Sequence, residues 1–162
     1  MRIVAAIVVA LLTASSAAMP LPAAAAPSVE QLFRDFDLLG NWAIDCTQPA
    51  TGANPHVAIT ASGSGEVLEE HDLGSEFAVN RYSILAASRL SDDRLSIEVM
   101  FQPGRADEQR QKLILLIRKG TRRTMFNQPD GGEVRVKGGV ALAHEIKTPV
   151  LRKCESAQGA AR

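Results

Sequence analysis

The chain has 162 residues, of which 46% are hydrophobic and 22% are charged, and its 18 basic and 18 acidic residues cancel to a formal net charge of zero at pH 7. This length suits a single folded domain. A neutral chain offers no overall electrostatic attraction to nucleic acid or to an anionic membrane surface, so the charge balance argues against both kinds of partner.

The first residues predict a cleavable signal peptide. Arg2 supplies a positive n-region, residues 3–12 form an apolar run too short to span a bilayer, and small residues lead to Pro27. We expect cleavage after Ala25, because a cut one residue later would place Pro27 first. No cysteine lies near the expected cleavage site, so a lipoprotein anchor is not indicated. The expected product is periplasmic or secreted, with one domain over residues 26–155 and a disordered tail over residues 156–162.

Residues 40–46 hold the only tryptophan and one of the two cysteines. Trp42, Ile44 and Cys46 share one parity, the period-two pattern of a strand with one buried face. An even cysteine count in an exported chain favours a disulfide, and Cys46 can pair only with Cys154. This bond would tie the first strand to the last and close a loop of about a hundred residues, for which chain entropy predicts about 4–5 kcal/mol of stabilisation.

The rest of the chain predicts one short helix followed by strands. Ser28 is a candidate N-cap for a helix over residues 28–38, whose apolar face would cover one end of a barrel. Period-two alternation and turn residues then predict strands at 40–46, 56–61, 66–73, 77–90, 95–102, 112–119, 121–128, 133–141 and 149–154. The segment 66–73 is polar enough to predict an edge strand.

Short connections favour an up-and-down meander, and a disulfide between its two ends makes that meander a closed barrel. The alternative that the pattern leaves open is a two-sheet sandwich, in which the ends could also meet. We predict an all-β fold, a small antiparallel up-and-down barrel of about eight strands with a short N-terminal helix.

A short helix followed by Gly40-x-Trp42 at the start of an eight-stranded meander resembles the lipocalin-like (calycin) barrels. The resemblance implies that Trp42 plugs one end of the barrel and that Arg152 packs across its ring as a cation–π partner. The sequence departs from the family in lacking a Thr-Asp-Tyr loop triplet and room for the long helix after the barrel. The whole chain is also similar to small exported proteins of alphaproteobacteria.

No residue pattern indicates catalysis or a metal site. The three histidines lie in separate segments, at His56, His71 and His144. Neighbouring residues of a strand point to opposite faces, so at most two members of Glu69-Glu70-His71-Asp72 could share an ion, and a solvated strand is the preferred interpretation. The sequence contains no G-x-S-x-G and no Cys-x-x-Cys, and Asp92-Asp93 fits a turn. We therefore expect no enzyme activity, metal or cofactor.

Four cations surround one predicted hairpin turn, namely Arg118, Lys119, Arg122 and Arg123. The plain interpretation is a solvated loop tip that discourages edge pairing. The sharper interpretation is a patch that binds an anion or a protein partner. No aromatic residues are interleaved with these cations, which argues against single-stranded nucleic acid.

Trp42, Tyr82 and Phe101, with Arg152, are the candidates to plug the barrel or line a ligand cavity. Aromatic residues make up only 4% of the chain, so a filled small barrel is the simpler packing. Our first functional hypothesis is a non-enzymatic lipocalin-like protein that binds a small apolar or amphipathic molecule. The alternative is a protein-interaction module, such as a periplasmic inhibitor or an envelope accessory protein with a filled barrel. We expect a monomer without a membrane span.

Overall fold

The computed structural model describes residues 25–155. Apart from Ala25, the predicted signal peptide lies outside these residues, as does the predicted tail at 156–162. Helix α1 spans Val29–Asp35 and begins at the predicted cap, where Ser28 Oγ accepts a hydrogen bond from the Gln31 amide at 3.1 Å. The helix ends earlier than predicted, and Asp37 leaves it with a left-handed φ of 53°. Within residues 25–155, no helix has the length and apolar character needed to cross a membrane.

Eleven strands follow α1 in the described part of the chain. They are β1 Gly40–Ala43, β2 His56–Ala61, β3 Val67–Asp72, β4 Asn80–Ser91, β5 Arg94–Phe101, β6 Gln109–Arg118, β7 Thr121–Pro129, β8 Val136–Lys137, β9 Val140–Ala141, β10 Ile146–Lys147 and β11 Leu151–Lys153.

Eight of these strands form a closed antiparallel up-and-down barrel, in the ring order β1, β2, β3, β4, β5, β6, β7, β11 and back to β1. This arrangement confirms the predicted fold class and excludes the two-sheet sandwich. The predicted edge strand at 66–73 was wrong, because β3 is hydrogen-bonded to both β2 and β4. The polar residues of β3 therefore do not mark an unpaired edge, because the strand has a hydrogen-bonded neighbour on each side.

Strands β8, β9 and β10 form a small meander beside the barrel, and we call residues 130–150 the side meander. β8 pairs with the end of β7, β9 with β8, and β10 with β9. A single strand was predicted over 133–141. The chain instead turns back at Gly138 and Gly139, whose φ values of 60° and 77° lie in the left-handed region that glycine adopts without a Cβ penalty.

The end of the barrel next to α1 is filled with apolar side chains. Trp42, Phe33 and Leu38 are each at most 1% exposed. They share one core cluster with Leu32, Phe36, Val57, Ile59, Val67, Ile84, Leu95, Ile97, Val99, Leu115 and Leu151. The Trp42 Nε1–H donates to the Leu38 carbonyl at 2.8 Å, which satisfies the one polar group of the buried indole.

The predicted disulfide between Cys46 and Cys154 is confirmed, with the two Cα atoms 5.6 Å apart. It joins the segment after β1 to the residue after β11, and the Cys154 amide also donates to the Asn41 carbonyl at 2.8 Å. The first strand is shorter than predicted. β1 ends at Ala43, so Ile44 is exposed and does not continue the buried face that its parity predicted.

Candidate functional site

The barrel is not filled along its whole length. Away from α1 it contains a cavity of about 310 Å³, which lies at the lower end of the range for small-molecule pockets. Apolar side chains from four strands line it, namely Val57, Ile97, Val99, Leu113 and Leu151. Polar side chains from β3, β4 and β7 complete the wall, and these set the chemistry of the site.

A wider groove of about 960 Å³ adjoins the cavity between the barrel rim and the side meander. The two spaces share the lining residues Asn80, Tyr82, Asn127 and Val136. The cavity and the groove therefore share part of their walls, and Tyr82 lines both spaces.

The centre of the polar wall is a buried ion pair between Glu69 on β3 and Arg122 on β7, and each residue is only 4% exposed. Arg122 donates twice to the carboxylate, from Nη2 to Oε1 at 2.7 Å and from Nη1 to Oε2 at 3.1 Å. β3 and β7 stand four places apart in the ring of eight, so the pair crosses the barrel interior. A bidentate pair of this kind is the strong form of the arginine–carboxylate interaction.

Glu69 also binds the imidazole of His71, the next inward residue on β3, with 2.5 Å between Nε2 and Oε1. Burial alone would raise the pKa of Glu69. The Arg122 guanidinium and the His71 ring outweigh burial and hold the pKa of Glu69 well below its usual range. The carboxylate is therefore charged at neutral pH, and the His71 ring is oriented by it.

Tyr82 packs against the His71 ring, with ring centroids 4.9 Å apart, and Phe101 packs against Tyr82 at 5.2 Å. Glu69, Tyr82 and Phe101 are direct register partners across β3, β4 and β5, so they share the inner face. Burial, with the nearby Glu69 charge, raises the pKa of Tyr82 to about 12. Its phenol is thus neutral, and its hydroxyl can donate a hydrogen bond.

Arg123 lines the cavity beside the side meander. Its Nε donates to Thr148 Oγ1 at 3.0 Å, and its Nη2 donates to the Gly139 carbonyl. Thr148 Oγ1 in turn donates to the Thr124 carbonyl at 2.7 Å. These bonds hold the half-buried guanidinium in place and dock the side meander on β7.

The four predicted patch cations do not form one exposed surface, so that prediction was wrong. The hairpin turn consists only of Lys119 and Gly120, with φ values of 46° and 72°, and β7 is already paired at Thr121. Arg122 is the next residue of β7, and its side chain points into the barrel, where it is buried. Arg118 remains outside, where it pairs with Asp93 at 2.7 Å.

The predicted cation over the Trp42 ring was also wrong. Lys153, and not Arg152, places its Nζ 5.7 Å from the ring centroid. Lys153 is the register partner of Trp42, whereas Arg152 is the partner of Ala43 and is exposed on the outer face. Trp42 occupies the filled end and does not line the cavity. Of the other predicted lining residues, Tyr82 lines both spaces and Phe101 lines the groove.

Sequence reasoning missed the Glu69–Arg122 pair because its partners are far apart in the chain. One signal was available. Glu69 shares its strand parity with Val67, an apolar residue that is 1% exposed. A carboxylate on the apolar parity of a strand implies a buried partner. Residues 25–155 contain no group of three or more His, Cys, Asp or Glu side chains arranged to hold a metal ion.

Comparison of the chain with protein-family models, with curated proteins and with solved structures finds no match. Function therefore has to be argued from the cavity and its side chains, because a barrel architecture alone supports many activities.

Proposed function

We propose that the protein is an exported, non-enzymatic, lipocalin-like barrel that binds a small molecule with an apolar body in its internal cavity. The observation that carries the proposal is the cavity of about 310 Å³ inside a closed barrel whose other end is filled. Mostly apolar walls with a few fixed polar groups are typical of small-molecule sites.

The alternative, a protein-interaction module with a filled barrel, is less well supported. It was motivated by a filled interior and by a basic hairpin. The interior next to the side meander is hollow, and Arg122 of that hairpin is buried against Glu69. Export accords with the Cys46–Cys154 disulfide, because such bonds persist in oxidising compartments.

Ligand-dependent thermal stabilisation tests the proposal. A molecule that binds only the folded state at a hundred times its Kd stabilises by about 2.7 kcal/mol, which raises Tm by several degrees. We expect some members of a panel of primary alcohols, fatty acids and pigments to raise Tm. Trp42 fluorescence is a poor readout, because the indole lies away from the cavity.

A matched pair of variants locates the binding. Thr124→Trp places a large ring in the cavity, whereas Thr60→Trp places the same ring on the exposed face of β2. The shift in Tm should disappear in the first variant and persist in the second. If no member of the panel raises the Tm of the unmodified protein, the proposed function is wrong.

A further inference from the structure

We propose that the molecule bound in the cavity carries an anionic head group, a carboxylate or a phosphate, that pairs with Arg123. This inference rests on the proposed function and adds the chemical class of the ligand.

The first argument is the charge balance of the cavity wall. Among the residues of the described chain that line the cavity, one is a carboxylate, Glu69, and two are guanidinium groups, Arg122 and Arg123. Both oxygens of Glu69 are occupied by Arg122. No other carboxylate among the cavity-lining residues is therefore left to pair with Arg123.

The second argument is how Arg123 is held. Its two hydrogen-bond acceptors within residues 25–155 are the Thr148 hydroxyl and the Gly139 carbonyl, and both are neutral. Those bonds use Nε and Nη2 and leave the Nη1 donors for another group. Surface arginines of this chain behave differently. Arg118 and Arg81, for example, each reach a carboxylate, on Asp93 and Glu70.

The third argument is the environment of the guanidinium. Arg123 is half-buried beside apolar walls, where a charge interaction is less screened than in water. The arginine fork binds carboxylate and phosphate oxygens with directed, charge-assisted hydrogen bonds. Val99, Leu113 and Leu151 offer apolar surface for the rest of the molecule. An amphipathic anion matches both features, whereas a cation would meet an unpaired positive charge.

Four probes with one chain and different head groups test the inference by calorimetry: octanoate, octyl phosphate, octanol and octylammonium. A hydrogen bond to a charged group contributes about 1.5–3 kcal/mol, so we expect one of the anions to bind about tenfold to a hundredfold more tightly than octanol. Octylammonium should bind most weakly. The tighter of the two anions identifies the head group as carboxylate-like or phosphate-like.

Three variants assign the preference to Arg123. Arg123→Gln should abolish the difference in affinity between the anion and octanol, and Arg123→Lys should retain part of it. Arg118→Gln removes a surface cation that does not line the cavity and should behave like the unmodified protein. Should Arg123→Gln fail to fold, the comparison of probes on the unmodified protein and on Arg123→Lys still decides.

The outcomes separate this inference from the proposed function. If octanol binds and neither anion binds more tightly, the proposed function stands and the anionic head group is wrong. The inference also fails if Arg123→Gln keeps the full preference for the anion. If none of the four probes binds and the wider panel leaves Tm unchanged, the proposed function itself fails.

Discussion

The ion pair across the barrel leads to a prediction that a double-mutant cycle can test. Glu69→Leu leaves the Arg122 charge without its partner, and Arg122→Met leaves the Glu69 charge without its own. Each single variant should be strongly destabilised. The double variant replaces both charges by apolar groups and should recover most of the loss, because no unpaired charge remains in the core.

The burial of the pair sets the magnitude. Both side chains are at most 6% exposed, so water cannot solvate the charge that remains after one partner is removed. Breaking such a pair costs about 3–5 kcal/mol, a large part of the roughly 5–15 kcal/mol that stabilises a typical domain. The double variant should lose only about 1 kcal/mol, mainly because His71 loses the acceptor that Glu69 provides.

Urea denaturation at neutral pH is the assay, with Arg118→Met as the control. Arg118 also pairs with a carboxylate, that of Asp93, but at an exposed position. Its removal should leave the denaturation midpoint nearly unchanged. The reasoning is refuted if the Glu69 and Arg122 variants lose less than about 1 kcal/mol each, or if their losses simply add in the double variant.

The stabilities of the unmodified protein and of Arg122→Met should depend on pH in opposite ways. In the unmodified protein the pKa of Glu69 is lowered, so its contribution to stability is present above the unfolded pKa of about 4.3 and is lost as the pH falls through the folded value. In Arg122→Met, burial raises the pKa of Glu69 above its unfolded value. The contribution of Glu69 to stability is then present below the unfolded pKa and is lost as the pH rises through the raised folded pKa. The stability difference between the two proteins should shrink from pH 7 towards pH 4.

Two further predictions concern the disulfide and the single tyrosine. Cys46→Ser should lower stability by about 2–5 kcal/mol while keeping the β-type circular dichroism, and equal melting of oxidised and reduced protein would contradict it. The phenolate absorbance of Tyr82 should titrate near the raised pKa of about 12. Any stability that depends on the neutral phenol is therefore present below pH 10 and is lost as the pH rises through the folded pKa of about 12. A midpoint near 10 in the folded protein would show that the ring is not buried beside Glu69.

The barrel could be predicted because its determinants are local. In β5, Leu95, Ile97 and Val99 alternate with polar residues, and all three are buried. The Lys119–Gly120 pair has the backbone of a two-residue hairpin turn, which fixes the register between β6 and β7. Two cysteines allow only one intramolecular pairing. Each of these signals is contained in a short stretch or in a count.

The candidate site could not be predicted because its determinants are long-range. Arg122 belongs to a run of cations that also fits an exposed loop, and only the register of β7 shows that it points inward. Its partner is 53 residues away, on the opposite side of the ring. Whether the interior is full or hollow depends on how side chains from eight strands fill one space, and the alternation within each strand carries no information on that sum.

The shortest strand of the ring, β11, closes the barrel. β11 has three residues, with two register pairs to β1 and two to β7. It is the one element that separates those neighbours, so its detachment would turn a continuous wall into an open sheet with two bare edges. Bare edges recruit other chains. A few backbone hydrogen bonds of β11, next to Cys154, thus protect the barrel from self-association. Substitutions in β11 should lower solubility before they unfold the long strands.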